Sequence, residues 1–388
     1  MTSRFEVPAI ILGGGINGLG LVRNLGKSGV PVFCVCRTVD PVFFSKYCLK
    51  RFLIQSFEED PLRRFLREFS RKETVRPVVF STDDIGTLAL SRLQSDIRDD
   101  FELIVPRKEV AERIIIKRKF YEFLAVNDIP HPQVVMPSNF EDLKRVKKEL
   151  GYPVFVRPSL SPIFNRLFHK KGFLAYSESE LIRFFDLTRK QNIDVIFQEI
   201  IQGSDNRIYG ISGYFDKRSK PMALFAYHRL RGWPPVFGNN SLIESVALPT
   251  IQSAKETATK CLSRLGYHGV MEAEFKLDPR DNRFKMLEIN ARSWWQNSFP
   301  TKCGLNIIFK AYLDAIGEHG EYGESYLIGL KWINILNDLP SSILTSEMAT
   351  KTWVHSLRMI RDEAFFDPRD PIPPMTTLMC QISKLLLR

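Results

Sequence analysis

The chain has 388 residues, 44% of them hydrophobic and 26% charged, enough to bury a large core and to divide into two or three domains. It holds no apolar run of about eighteen residues, no signal-peptide pattern over residues 1–8 and no CxxC pair among its six cysteines, which argues against a transmembrane helix, a leader and a disulfide frame and predicts a cytoplasmic location. The formal charge of +11 is scattered, with no dense basic run, aromatic-interleaved basic motif or zinc pattern, so solvated helix faces and anionic substrates are expected rather than nucleic acid.

Pro8 to Gly15 read as an apolar strand running into a glycine turn, Ile16 to Leu25 as a helix, and Val30 to Val35 as a second strand. This β-α-β unit carries Gly13-x-Gly15-x-x-Gly18 in register with the dinucleotide fingerprint. The fingerprint's acid at the end of the second strand is missing; Cys36-Arg37 stand there, with Asp40 further on. One candidate function is therefore an NADP-dependent oxidoreductase, with Arg37 suited to a 2′-phosphate; the alternative is that the glycines serve only the tight turn. Cys34 and Cys36 alternate along that strand and are expected to be buried. The α/β pattern continues through Phe52-Leu53-Ile54, a basic amphipathic helix near 60–70 and the strand Pro77 to Phe80. Ser81-Thr82-Asp83-Asp84 then cap a helix at a strand's C-terminal end, where open α/β sheets bind ligands.

From Ala111 to Val126 the pattern is one helix rich in Lys and Arg. A charged helix over 141–150, a strand Gly151 to Pro158, the stretch Ser159 to Gly172, a helix Glu178 to Lys190 and a strand Asp194 to Ile201 follow. Tyr209 to Phe215 and Met222 to Arg229 read as strands. A period of two puts Arg229 and Arg231 on one face, where two planar guanidinium forks can clamp a carboxylate or a phosphate. After a helix over 253–266 comes a hairpin: a strand through Phe275 and Leu277, a turn from Asp278 to Asn282, and a strand from Phe284 to Ile289. The same period places Glu272, Glu274 and Lys276 on one face, and Glu288 and Asn290 on one face of the second strand. Pairing converges Glu274, Glu288 and Asn290, three hard oxygen ligands suited to Mg²⁺. Met286, Leu287 and Ile289 make the second strand read as buried, and buried acids need partners.

Glu274 followed by Leu287-Glu288-Ile289-Asn290-Ala291-Arg292 resembles the metal-binding end of an ATP-grasp domain, in which an acid on one strand precedes an E-x-N-x-R run. Other segments match that family in order. Residues 116–132 are similar to its entry to the nucleotide subdomain, which gives Lys117 a nucleotide-contacting role, although Ile116 replaces the usual Asp or Asn. Gly151 to Pro158 resembles the strand whose Lys contacts the α- and β-phosphates; here that position is Arg157, which keeps the charge with a different geometry. Ser159 to Gly172 would be the mobile loop over the phosphates, though glycine-poor, with His169 read as an exposed loop residue. Asp194 to Asp205 is similar to the hinge strand. The likeness implies adenine pairing around Gln198, Glu199 and Ile201, and ribose binding by Asp205. His228 to Gly238 resembles a segment of the carboxylate–amine ligase branch that includes D-aspartate ligases. In that branch Arg292, with Arg229 and Arg231, would steady an acyl phosphate.

The fold implied is α/β: a Rossmann-like N-terminal domain (1–110) and a two-subdomain ATP-grasp fold (α+β) with a lid (111–200) and a metal-bearing large subdomain (201–320). A short C-terminal extension (321–388) completes it. The activity implied is ATP-dependent amide formation on an amino acid or a cell-envelope precursor, with ATP and Mg²⁺ as cofactors and Mn²⁺ as a substitute. Its partners would be small-molecule carboxylates and amines, with a homodimer compatible. A third candidate, suggested by Ile116, Arg157 and the glycine-poor loop, is an ATP-binding protein that has lost catalysis. Met379 to Leu387 is basic and amphipathic, expected to pack on the body, with weak membrane-surface contact as the lesser reading.

Overall fold

The structure, a computed structural model, describes residues 5–73, 75–234, 237–318, 322–344 and 350–376. The segment 379–387 lies outside them. Among the described residues no helix is long and apolar enough to cross a membrane.

The N-terminal region is a parallel five-stranded sheet in the order β3-β2-β1-β4-β5. Its strands are β1 (Ala9–Leu12), β2 (Val32–Cys36), β3 (Cys48–Leu53), β4 (Val78–Ser81) and β5 (Glu102–Leu103). The runs AIIL and VFCVC are buried along their whole length, as strands covered on both faces require. Cys34 and Cys36 are buried there, as expected. The glycine turn after β1 needs its glycines: Gly13 and Gly15 have φ of +107° and +62°, and a Cβ on Gly18 would lie 2.7 Å from the Gly13 carbonyl oxygen. The helix Gly15–Lys27 follows directly.

The single helix expected over 111–126 is two. Lys108–Ile115 and Lys117–Val126 meet at Ile116, whose ψ of 105° is extended. The Lys117 N–H there is taken by the Ser159 carbonyl (2.8 Å), which ties the second helix to the neighbouring strand. Four strands form the lid sheet, β6 (Val134–Val135), β7 (Val154–Pro158), β8 (Phe173–Ala175) and β9 (Val195–Glu199), in the antiparallel order β6-β9-β7-β8. Within the stretch expected to be a loop, Ser161–Phe168 is a helix. Pro162 sits at its first turn, and Phe164 and Phe168 pack on Phe173.

The remaining strands build one seven-stranded sheet, β14-β13-β10-β11-β12-β15-β16. They are β10 (Ile208–Phe215), β11 (Pro221–Trp233), β12 (Asn239–Val246), β13 (Gly269–Asp278), β14 (Arg283–Asn290), β15 (Lys331–Ile333) and β16 (Ile360–Glu363). Residues beyond 321 thus supply two strands of the central sheet. They also dock on the N-terminal helix: Arg23 donates to Asp370 Oδ2 (2.9 Å), to the Asp370 carbonyl (3.0 Å) and to the Phe365 carbonyl (2.8 Å). Lys27 pairs with Asp367. One hydrophobic core runs under this junction, joining Val22 and Leu25 to Trp294, Tyr312 and Trp332.

Candidate active site

The hairpin predicted from sequence forms, and its register puts Glu274, Glu288 and Asn290 on one face. Glu274 lies opposite Glu288, and Glu272 opposite Asn290, with a bulge between Glu274 and Phe275. Two carboxylates directly opposed on one face repel unless cations lie between or beside them. Three arginines supply that charge. Arg157, from β7, donates to Glu288 Oε2 (2.8 Å) and to Gln198 Oε1 (2.9 Å). Arg229, from β11, donates to Glu274 Oε1 (3.0 Å). Arg292 bridges Asn290 Oδ1 (3.1 Å) and Asp84 Oδ1 (2.8 Å), the latter at the start of the helix Asp84–Ile97. Lys117 donates to Ser161 (3.2 Å) and shares a small recess with Asp84, Glu288 and Asn290.

The electrostatics divide the acids. Burial works against ionisation of Glu288, yet Arg157, Lys117 and Lys171 hold its carboxyl down to about 2. Glu272, 4% exposed, goes the other way. Burial, then the Glu274 charge, pushes it up to about 8, while Tyr227 (2.7 Å) and Asn290 (3.0 Å) donate to its two oxygens. Lys117 is lowered by burial and by neighbouring Arg157. The site therefore stores one displaceable proton beside a fixed anion.

The residues expected to border a nucleotide lie alongside. Gln198 accepts from Arg157 and from the Tyr121 hydroxyl (3.2 Å). The Glu199 carboxylate binds the Gln133 N–H (2.8 Å) and Arg280 (2.8 Å), and its own N–H bonds the Gln133 carbonyl (2.9 Å). Lys276 donates to the carbonyls of Ile201 (2.9 Å) and Gly203 (2.7 Å). Asp205 opens the short turn before β10, and a Cβ on Gly232 would lie 2.6 Å from its Oδ2.

Two expectations need correction. Arg229 and Arg231 do not share a face, because the register shifts between them and leaves Leu230 as the extra residue. Arg231 instead pairs with buried Asp338 (2.8 and 2.7 Å), away from Glu274. The glycine turn does not offer the bare amide a dinucleotide needs: the Gly15 N–H donates to both oxygens of Asp40 (3.0 and 3.1 Å). Arg37, the expected 2′-phosphate partner, lies over the Phe57 ring at 5.5 Å.

Sequence reasoning left out Tyr227, Gln296 and Lys171. The first was legible only as an apolar strand residue, although it sits one period from Arg229. Gln296 donates to Glu272 from beyond the motif, and Lys171 donates to Asn239 Oδ1 (2.6 Å) near both glutamates. Among the described residues no three His, Cys, Asp or Glu side chains form a metal-holding group. The oxygen set is two acids and an amide.

No family model matches the chain. It is 23% identical over 322 residues to a D-aspartate ligase of Enterococcus faecium, covering 78% of this chain and 75% of that one. It superposes on N5-carboxyaminoimidazole synthetase from Staphylococcus aureus with a TM-score of 0.69 at 14% identity, covering 89% and 87% of the two chains. The biotin carboxylase domain of Hydrogenobacter thermophilus 2-oxoglutarate carboxylase, solved with MgADP and bicarbonate, gives 0.65 at 15% identity over 84% and 73%. The likeness to these solved structures is one of fold.

Proposed function

We propose that the chain is an ATP-grasp protein of the carboxylate–amine ligase type, which joins a small carboxylic acid to an amine through an acyl phosphate, consuming ATP. The N-terminal parallel sheet is then the Rossmann-like domain that precedes the nucleotide fold. The observation that carries the reading is the opposed pair Glu274–Glu288 beside Asn290, ringed by Arg157, Arg229, Arg292 and Lys117.

The donor set fits a hard divalent cation, since its oxygens are carboxylates and an amide carbonyl. Mg²⁺ held there by Glu274, Glu288 and Asn290 would neutralise charge on the ATP phosphates. In the reaction proposed, a substrate carboxylate oxygen bonds to the γ-phosphorus as the bond to ADP breaks. The amine nitrogen then bonds to the acyl carbon, inorganic phosphate leaves, and the nitrogen gives up a proton. Phosphoryl transfer asks mainly for positioning and charge stabilisation. Arg157 and Lys117 supply it by exchanging the Glu288 carboxylate for phosphate oxygens. Arg292, held between Asn290 and Asp84, steadies the acyl phosphate, and Arg229 supports Glu274. Gln198, Glu199 and Ile201 border the adenine, and Asp205 the ribose. Arg231 supports the sheet from the Asp338 side.

The relative's name suggests an amino acid as one substrate. The test is ADP formation by the purified protein across pools of carboxylates and amino acids, with Glu288→Ala as control. Turnover that needs both substrates and is lost in Glu288→Ala supports a ligase. MgATP binding without turnover on any pair would favour an ATP-binding protein that has lost catalysis.

A further inference from the structure

A side chain of the protein itself lies where the adenine was assigned above. Phe155 and Arg157 stand two positions apart on β7, so both face away from the lid core that takes Val154 and Val156. Phe155 is opposite Gln198 in the β7–β9 register, and Arg157 donates to the Gln198 side chain (2.9 Å). The Phe155 ring therefore belongs to the wall that a bound nucleotide would touch, with the Arg157 guanidinium 5.7 Å from its centroid. One face of that ring is already taken. Phe237, from just before β12, lies flat on it with the centroids 3.8 Å apart and the planes 3° from parallel. A flat ring so placed takes the position of a nucleobase stacked on an aromatic side chain. The recess that remains beside Lys117, Glu288 and Asn290 measures about 20 Å³, room for a water molecule and not for a nucleotide.

Phe237 is held there against its own backbone preference. Its φ is +64°, in the left-handed region that a bulky side chain enters only under strain. The neighbouring glycine makes the arrangement possible, since a Cβ on Gly238 would run into the Pro234 carbonyl oxygen and the Trp233 backbone. Two polar ties connect the same stretch to the carboxylate cluster and to the lid. Arg229 donates to the Gly238 carbonyl (3.4 Å), to the Asn240 side chain and to Glu274 (3.0 Å). Lys171, from the lid, donates to Asn239 Oδ1 (2.6 Å). Charge arriving beside Glu274 or Lys171 therefore bears on the residues that carry Phe237. A strained side chain kept in place by one stack has a second arrangement open to it once a better partner takes that stack.

Resting on the ATP-dependent ligase reading, we propose that Phe237 is an internal plug of the nucleotide slot: in the empty protein its ring holds the place of the purine on Phe155, and MgATP binds by displacing it. The plug opposes the base and not the phosphates, because the stack offers a flat apolar face and no charge. Apparent nucleotide affinity is then lowered by the fraction of molecules with the ring in place, and removing the ring restores it.

The test is calorimetric titration of the whole chain with MgADP and with the Mg²⁺ complex of inorganic tripolyphosphate, which carries the charge without a base. Phe237→Ala should bind MgADP at least about fivefold tighter than the wild type and show no gain for tripolyphosphate. Phe237→Tyr keeps the flat ring and should stay within about twofold of the wild type for both ligands. Hydrogen–deuterium exchange of the wild type gives a readout that needs no variant: the peptide carrying Phe237 and Gly238 should exchange faster with MgADP and not with tripolyphosphate. Unchanged or weaker MgADP binding by Phe237→Ala, an equal gain for both ligands, a Phe237→Tyr protein that behaves like Phe237→Ala, or unchanged or slower exchange at that peptide with MgADP would each overturn the plug and leave the ligase reading standing. MgADP binding by neither the wild type nor Phe237→Ala would overturn the ligase reading and the plug with it.

Discussion

Replacing Glu272 by Gln gives the most demanding prediction, because its sign depends on pH. Glu272 is buried, with a carboxyl pushed up to about 8 by burial and the Glu274 charge. Gln is nearly isosteric with the protonated form and can still accept from Tyr227. A carboxyl raised in the folded state contributes its stability below its unfolded value of about 4.5, and loses it as pH climbs to the folded value. Glu272→Gln should therefore match the wild type near pH 5 and become the more stable protein as pH rises through 8. One pKa unit is worth about 1.4 kcal/mol, so the gap should reach a few kcal/mol, on the order of several degrees in melting temperature. Thermal denaturation of both proteins from pH 5 to 9 reads it. A difference that stays flat with pH, or that favours the wild type at pH 9, would refute the account of a stored proton.

Other expectations follow from the same contacts. Asp338→Ala should cost about 3–5 kcal/mol, because it strands Arg231 and leaves Ser241 and Trp353 without their acceptor; urea unfolding measures it. Arg157→Met removes the first of the cations that hold Glu288 near 2. The wild-type carboxyl contributes stability above its unfolded value and loses it as pH falls towards 2, so in the variant this loss should begin at higher pH, visible as an upward shift of the acid-unfolding midpoint. Gly18→Ala pushes a Cβ to 2.7 Å from the Gly13 carbonyl and should destabilise by about 1–3 kcal/mol, read by the same unfolding assay.

The hairpin that carries Glu274 and Glu288 was legible because its pairing is local: a turn of four residues fixes the register, and a period of two does the rest. The glycine turn was legible for the same reason. Features that depend on distant residues were not. Nothing in the run from Tyr227 to Trp233 announces the bulge at Leu230 that parts Arg229 from Arg231. The break at Ile116 depends on a carbonyl at Ser159, and the filling of the glycine turn on a carboxylate 25 residues away. The Asp367 to Asp370 run takes its place from Arg23 and Lys27, more than 300 positions earlier. Charged pairs at such separations leave no periodic trace.

Mn²⁺ titration in the presence of ATP, read by the electron paramagnetic resonance of the free ion, tests the central claim most directly. Cation binding by the wild type that weakens at least tenfold in both Glu274→Gln and Glu288→Gln is the predicted result. Wild-type cation binding in both variants would contradict a nucleotide–metal site built on this hairpin.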